Sequence, residues 1–117
     1  MTDEEACTDR AFCPHYHHAV ELIGRRWTGA ILRAMLHGES RFGDLRTSVP
    51  ELSDKMLSQR LKELEAEGIV DRRVFPDTPV RIEYALTVKG RELERAVEVI
   101  ETWADAWATP SGVSATR

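Results

Sequence analysis

Apolar residues recur at threes and fours along most of the chain and switch to an alternating pattern once, between residues 70 and 86. The first helical stretch, "PHYHHAVELIG", has Pro14 at a favoured first helical position and Gly24 at a favoured stop. Tyr16, Ala19, Val20 and Ile23 share one face of it, which predicts core packing, and the histidines fall mostly on the other. "WTGAILRAMLHG" predicts a second helix with Trp27, Ile31, Ala34 and Met35 inward and Gly38 as the stop. "SRFGDLRTSVP" predicts a short third, anchored by Phe42 and Leu45 and ended by Pro50. In "ELSDKMLSQRLKELEAEGIV", Ser53 is an N-cap, Asp54 suits the positive end of the helix dipole, and Leu57, Leu61 and Leu64 form the buried stripe before Gly68.

A short helix, a turn around Pro50–Leu52 and a capped helix make a helix-turn-helix. The alternation follows directly: Val70, Arg72 and Val74 on one run, then Val80, Ile82, Tyr84 and Leu86 on the return, with "PDTP" at 76–79 breaking the two. This predicts a β-hairpin flanked by Arg72, Arg73 and Arg81. Thr87 then caps a single last helix with Leu93, Ala96, Val97, Ile100, Trp103, Ala104 and Trp107 at helical spacing. The expected fold is therefore mainly α with a small β-hairpin, a winged helix-turn-helix. Two tryptophans at the far end of a terminal helix exceed the needs of a small core, so dimerisation through the N- and C-terminal helices is expected, with Tyr16, Val20, Ile100, Trp103 and Trp107 at the interface.

Composition narrows the class. With 117 residues, 42% hydrophobic and 31% charged, the chain fits one soluble domain. The expected organisation is a flexible acidic N-terminus over 1–12, the winged-helix and dimerisation domain over 13–108 and a flexible tail over 109–117. No apolar run approaches the ~20 residues that span a bilayer, and the N-terminus is acidic, so a cytoplasmic protein without a membrane partner is expected. The net charge of −4 is unevenly spread. Residues 1–24 carry one Lys/Arg against five Asp/Glu and residues 83–117 four against six, whereas residues 25–82 carry eleven against nine. That distribution permits a polyanionic partner. Hydroxyl and amide side chains near the start of helix 53–67 suit base-edge contacts in a major groove, and arginines on a wing suit phosphates or a minor groove. A solvated helix face would read similarly.

The ordered pieces "IGRRWT", "RFGDL", "LSDKMLSQRLKELE" and "YALTVKG" closely resemble the HxlR-type branch of MarR-like winged-helix transcription regulators, over about Cys13 to Trp103. The resemblance implies a dimeric repressor or activator bound to an inverted repeat of double-stranded DNA; a homodimeric repressor with no cofactor is expected here. It implies that Ser53, Lys55, Ser58, Gln59 and Arg60 face DNA and that Arg41 and Arg81 contact its backbone; Arg72 is taken with them from the hairpin. Two readers in successive major grooves would set half-sites about 34–36 Å apart. The wing tip departs from the family's more usual paired prolines, and Asp77 adds a negative charge there.

The same resemblance places a cysteine before the first proline, at Cys13, where several members sense oxidants or electrophiles. Independently, Pro14 as first helical residue makes Cys13 the N-cap, where amide N–H groups and the helix dipole favour thiolate. The alternative is a partly buried thiol serving as a small apolar residue. Cys7, in the acidic N-terminus, is expected to be inert, although an N-terminus long enough to fold back would let it resolve an oxidised Cys13. A metal site from Cys13, His15, His17 and His18 is disfavoured because adjacent helical positions diverge and a closed zinc site needs four converging ligands. No catalytic motif is present, so an enzyme is not expected. The rivals are a winged-helix protein-interaction module and a regulator answering a small ligand or metal instead of thiol oxidation.

Overall fold

A computed structural model describes residues 11–108. Expectations for Cys7, most of the acidic N-terminus and the C-terminal tail lie outside those residues. The described chain runs α1 (Pro14–Ile23), α2 (Thr28–Leu36), α3 (Phe42–Ser48), α4 (Asp54–Ala66), β1 (Val70–Phe75), β2 (Arg81–Leu86), α5 (Val88–Arg91) and α6 (Glu94–Trp107). This is the winged helix-turn-helix the pattern implied.

The core is built from the stripes. Leu57, Leu61 and Leu64 of α4 are at most 1% exposed, and they meet Ile31 and Leu32 of α2, Leu45 of α3, and Val70 and Leu86 of the hairpin in one cluster. Each buried leucine stabilises the fold by about 2 kcal/mol relative to exposure. The turn between α3 and α4 is fixed from inside, because Val49 and Leu52 are both buried. Ser53 caps α4 by accepting from the Met56 amide at 3.1 Å, and Gly68 follows the C-cap Glu67 with φ +77, a left-handed conformation glycine adopts without strain. Trp27 also lies in that region, at φ 78, as the N-cap of α2. A bulky side chain there costs on the order of 1 kcal/mol.

The two strands pair antiparallel, with Val70 opposite Leu86, Arg72 opposite Tyr84 and Val74 opposite Ile82. The alternation therefore gave the correct face. A third short piece joins them: Arg41 bridges Glu83, and the Tyr84 amide donates to the Ser40 carbonyl at 2.7 Å. The base of the wing is thereby fastened to the start of α3.

Two expectations need correcting. Tyr16, Ala19 and Val20 do not enter the core; Tyr16 is 71% exposed, and Leu22 is the residue of α1 that is buried. Nor is the segment after Thr87 one helix. Thr87 Oγ1 accepts from the Gly90 amide at 3.1 Å and starts α5, but α6 begins separately at Glu94. The physical reason is Gly90, whose Cα lies so close to the hairpin that a Cβ would sit 2.3 Å from the Ile69 carbonyl oxygen. α5 is pressed onto the hairpin, whereas α6 leaves it and packs on α2 with no buried residue of its own.

Candidate nucleic-acid interface

The leucine stripe turns one side of α4 inward, and the opposite side is left to solvent. Ser53, Lys55, Gln59 and Lys62 are exposed along it and Ser58 is half-buried. Lys55 and Lys62 make no ion pair among the described residues. Asp54, in the first turn, is held by the Arg46 guanidinium of α3, which ties the two helices together at the turn. The Gln59 amide nitrogen lies 3.5 Å from Glu63 Oε2.

Arg60 does not belong to this face. Its side chain is only 12% exposed, its Nε donates to the Arg26 carbonyl at 2.9 Å, and its Nη1 reaches both Glu63 oxygens at 3.1 and 3.0 Å. The position adjoins the buried stripe and points at the α1–α2 turn, so the guanidinium fastens α4 to that turn instead of presenting charge. Glu63 also pairs with Arg25 at 3.1 Å. Burial pushes the Glu63 carboxyl upward, but the hydrogen bond from Arg25 and the charges of Arg60 and Arg25 outweigh it and hold the group below the usual carboxylate range. Nothing in the sequence pattern singled out Glu63 as the meeting point of two elements.

The wing arginines fall into two sets. By register, Arg72 stands opposite Tyr84 on one face of the hairpin, while Arg73 and Arg81 belong to the other, opposite Glu83 and Phe75. Arg72 and Arg73 are exposed and make no ion pair among the described residues. Arg41 and Arg81, both expected on the phosphate backbone, instead have carboxylate partners. Arg81 Nε donates to Asp77 and its Nη1 to Glu83, and Arg41 Nε lies 3.5 Å from Glu83. Neither is an unpaired cation in the structure. These acidic partners went unremarked in the sequence, although Asp77 itself stood out.

At the other end of the chain, Cys13 is the N-cap of α1, with its Sγ accepting from the Tyr16 amide at 3.3 Å. The residue is half-buried and disulfide-bonded. Of the histidines, His17 lies with its ring 5.3 Å from that of Phe12, and His18 Nε2 is 3.2 Å from Glu67. Among the described residues no three His, Cys, Asp or Glu side chains converge as metal ligands would. No helix among them is long and apolar enough to cross a membrane.

The apolar residues expected at a dimer interface stay uncovered in the single chain. Val20 is 47% exposed, and Tyr16, Ile100, Trp103 and Trp107 are more so. α1 and α6 both pack on α2.

Comparison with known proteins decides the family: residues 22–112 match the one described as HxlR-like helix-turn-helix. The chain belongs to that family. It is 46% identical over 99 residues to the HTH-type transcriptional regulator YvaP of Bacillus subtilis (strain 168), covering 85% of this chain and 92% of that one. It is 42% identical over 98 residues to the regulator YodB of the same organism, covering 84% and 88%. Among solved structures, reduced YodB superposes with a TM-score of 0.75 at 40% identity, over 86% of this chain and 99% of that one. The redox regulator HypR in its oxidised form superposes at 0.76 with 35% identity, over 81% and 98%. YodB has also been crystallised after diamide treatment and with quinone bound. This member of the HxlR-like family is thus a transcriptional regulator of the helix-turn-helix type, a class whose members are generally not enzymes.

Proposed function

We propose that the protein is a homodimeric repressor that binds an inverted repeat in duplex DNA through α4 and releases or retains it according to the oxidation state of Cys13. The observation that carries the reading is the outward face of α4, where Ser53, Lys55, Gln59 and Lys62 stand exposed on a helix pinned from behind by three leucines. Gln59 and Ser58 are the base-reading candidates, and Lys55 and Arg72 are suited to phosphates. The redox element is supported by Cys13 at a helix N-cap, where the dipole stabilises thiolate as attacking or leaving group, and by likeness to YodB and HypR. Diamide would take two electrons and two protons from a pair of thiols, its N=N bond becoming HN–NH, and leave the disulfide.

The test is fluorescence anisotropy on duplex DNA from upstream of the protein's own gene, with reduced and diamide-treated wild type beside Cys13→Ser. Tight, strongly salt-dependent binding that changes on oxidation in the wild type alone supports the whole reading. Equal binding in all four samples removes Cys13 from it and leaves a regulator with another signal. Binding that ignores salt, or no binding, would favour a protein-interaction module. Gln59→Ala should relax discrimination between bases with little effect on the salt slope.

A further inference from the structure

One face of the wing carries its own counter-charge. Arg81 Nε donates to Asp77 Oδ2 at 3.0 Å and Nη1 to Glu83 Oε2 at 2.5 Å, and the guanidinium lies over the Phe75 ring, 4.1 Å from its centroid. Glu83 is shared with Arg41 at 3.5 Å. The four side chains are two cations and two anions, so this cluster is formally neutral although it holds two arginines. Asp77 sits at the tip, its amide donating to the Phe75 carbonyl at 2.7 Å, and its side chain is 53% exposed. Asp77 is the one charged residue of the 76–79 tip, and its charge is negative.

We propose that Asp77, acting with Glu83, withholds Arg81 from DNA and so lowers the affinity of the wing for duplexes of any sequence, which makes Asp77 a determinant of the ratio between operator and non-operator binding. The inference rests on the DNA-binding reading above. Phosphate and Asp77 compete for the same N–H donors. Moving Arg81 onto a phosphate leaves Asp77 unpaired beside a polyanion, so the contact gains little. Base readout by α4 is untouched by this exchange, because the wing's contribution is sequence-independent. Suppressing only that part raises selectivity at the expense of total affinity.

Asp77→Asn keeps the side chain's shape and a weaker acceptor for Arg81 while deleting the charge. Anisotropy with the reduced full chain would compare the upstream duplex with a scrambled duplex of equal length, from about 50 to 200 mM salt, where backbone contacts show most clearly. Release of one guanidinium to a phosphate contact predicts a roughly three- to fivefold gain on the scrambled duplex per protomer at low salt. The slope of log affinity against log salt should steepen by up to about 0.9 for each phosphate newly contacted. The ratio of upstream to scrambled affinity should fall. Arg81→Ala alone leaves Asp77 and Glu83 without that cation and should bind both duplexes no better than the wild type, and Arg81→Ala added to Asp77→Asn should lose most of the gain.

The inference is overturned if Asp77→Asn binds the scrambled duplex no better than the wild type, or if its gain survives Arg81→Ala undiminished. Should Asp77→Asn loosen the hairpin, seen as early melting, Glu83→Gln releases Arg81 from its other side and must move non-operator affinity and slope in the same direction. A wild type that binds neither duplex in a salt-dependent way defeats the DNA-binding reading and this inference together. A wild type that binds, with variants that match it, defeats the inference alone.

Discussion

Trp103→Ala is the sharpest test of whether the uncovered stripe on α6 is an interface. Trp103 is 66% exposed in the single chain. A tryptophan carries up to about 250 Å², so a covering partner would remove roughly 160 Å² from water, a ceiling of about 4 kcal/mol per copy. Association entropy and imperfect fit reduce this, and area alone overstates affinity. With both copies truncated, the dimer is expected to weaken by about 3 kcal/mol, a little over a hundredfold in its dissociation constant. Sedimentation across a dilution series measures it. Val88→Ser is the control, because Val88 is 76% exposed but belongs to α5 and lies off the stripe; it should leave association unchanged. A Trp103→Ala variant that dimerises as tightly as the wild type would refute the reasoning, as would a wild type that sediments as a monomer throughout.

The Glu63 carboxyl is held below its ordinary range in the folded chain, so it binds fewer protons there than when unfolded. Its contribution to stability is therefore complete above the unfolded pKa and is lost as pH falls through the folded one; urea unfolding of Glu63→Gln should show a shallower loss of stability than the wild type below about pH 5. Gly90→Ala would put a Cβ 2.3 Å from the Ile69 carbonyl oxygen and 3.1 Å from Leu86, which are packed atoms with little room to yield. Overpacking of this kind costs about 2 kcal/mol, and a chemical-denaturation midpoint at or above that of the wild type would show that α5 is free to move away. Lys55→Ala should weaken binding to all duplexes alike and flatten the salt slope by about 0.9 per protomer in anisotropy.

Sequence periodicity was most informative where one physical constraint dominated. The leucine stripe of α4, its Ser53 cap and its Gly68 stop are local and strong, and the helix starts and ends as they imply. The hairpin pairing follows the alternation, with Val70 and Leu86 buried opposite each other at its base. Periodicity alone could not say which apolar face was core and which was open. Tyr16 and Val20 repeat as regularly as Leu57 and Leu61, yet only the latter pair is buried. The charged residues were least legible. Arg60 and Arg41 read as cations for DNA because a partner lies on another element, the Arg26 carbonyl for Arg60 and Glu83 for Arg41. Glu63, Asp77 and Glu83 lie within four residues of Arg60 or Arg81, and periodicity does not say which way those side chains turn. The break between α5 and α6 depends on how closely Gly90 approaches the Ile69 carbonyl, a contact no helical pattern encodes.

The connections of α1 bear on how a change at Cys13 would reach α4. His18 pairs with Glu67, the C-cap of α4, whose carbonyl also accepts from Lys89 Nζ at 2.7 Å. The turn after α1 adds Arg25 to Glu63 and the Arg26 carbonyl to Arg60. The solvent-accessible ion pairs His18–Glu67 and Arg25–Glu63 contribute about 0–1 kcal/mol each, too little to lock two helices together. Leu22 supplies the stronger tie, because it is buried in the same cluster as the α4 leucines and cannot shift without opening that packing. The end of α1 that holds Leu22 therefore moves with α4, while its Cys13 end carries exposed Tyr16. In the proposed dimer, chemistry at Cys13 would act where the two copies meet and would reorient whole reading units against each other. Internal distortion of α4 would cost the leucine packing, so the interface is the softer element and the one a thiol switch can move.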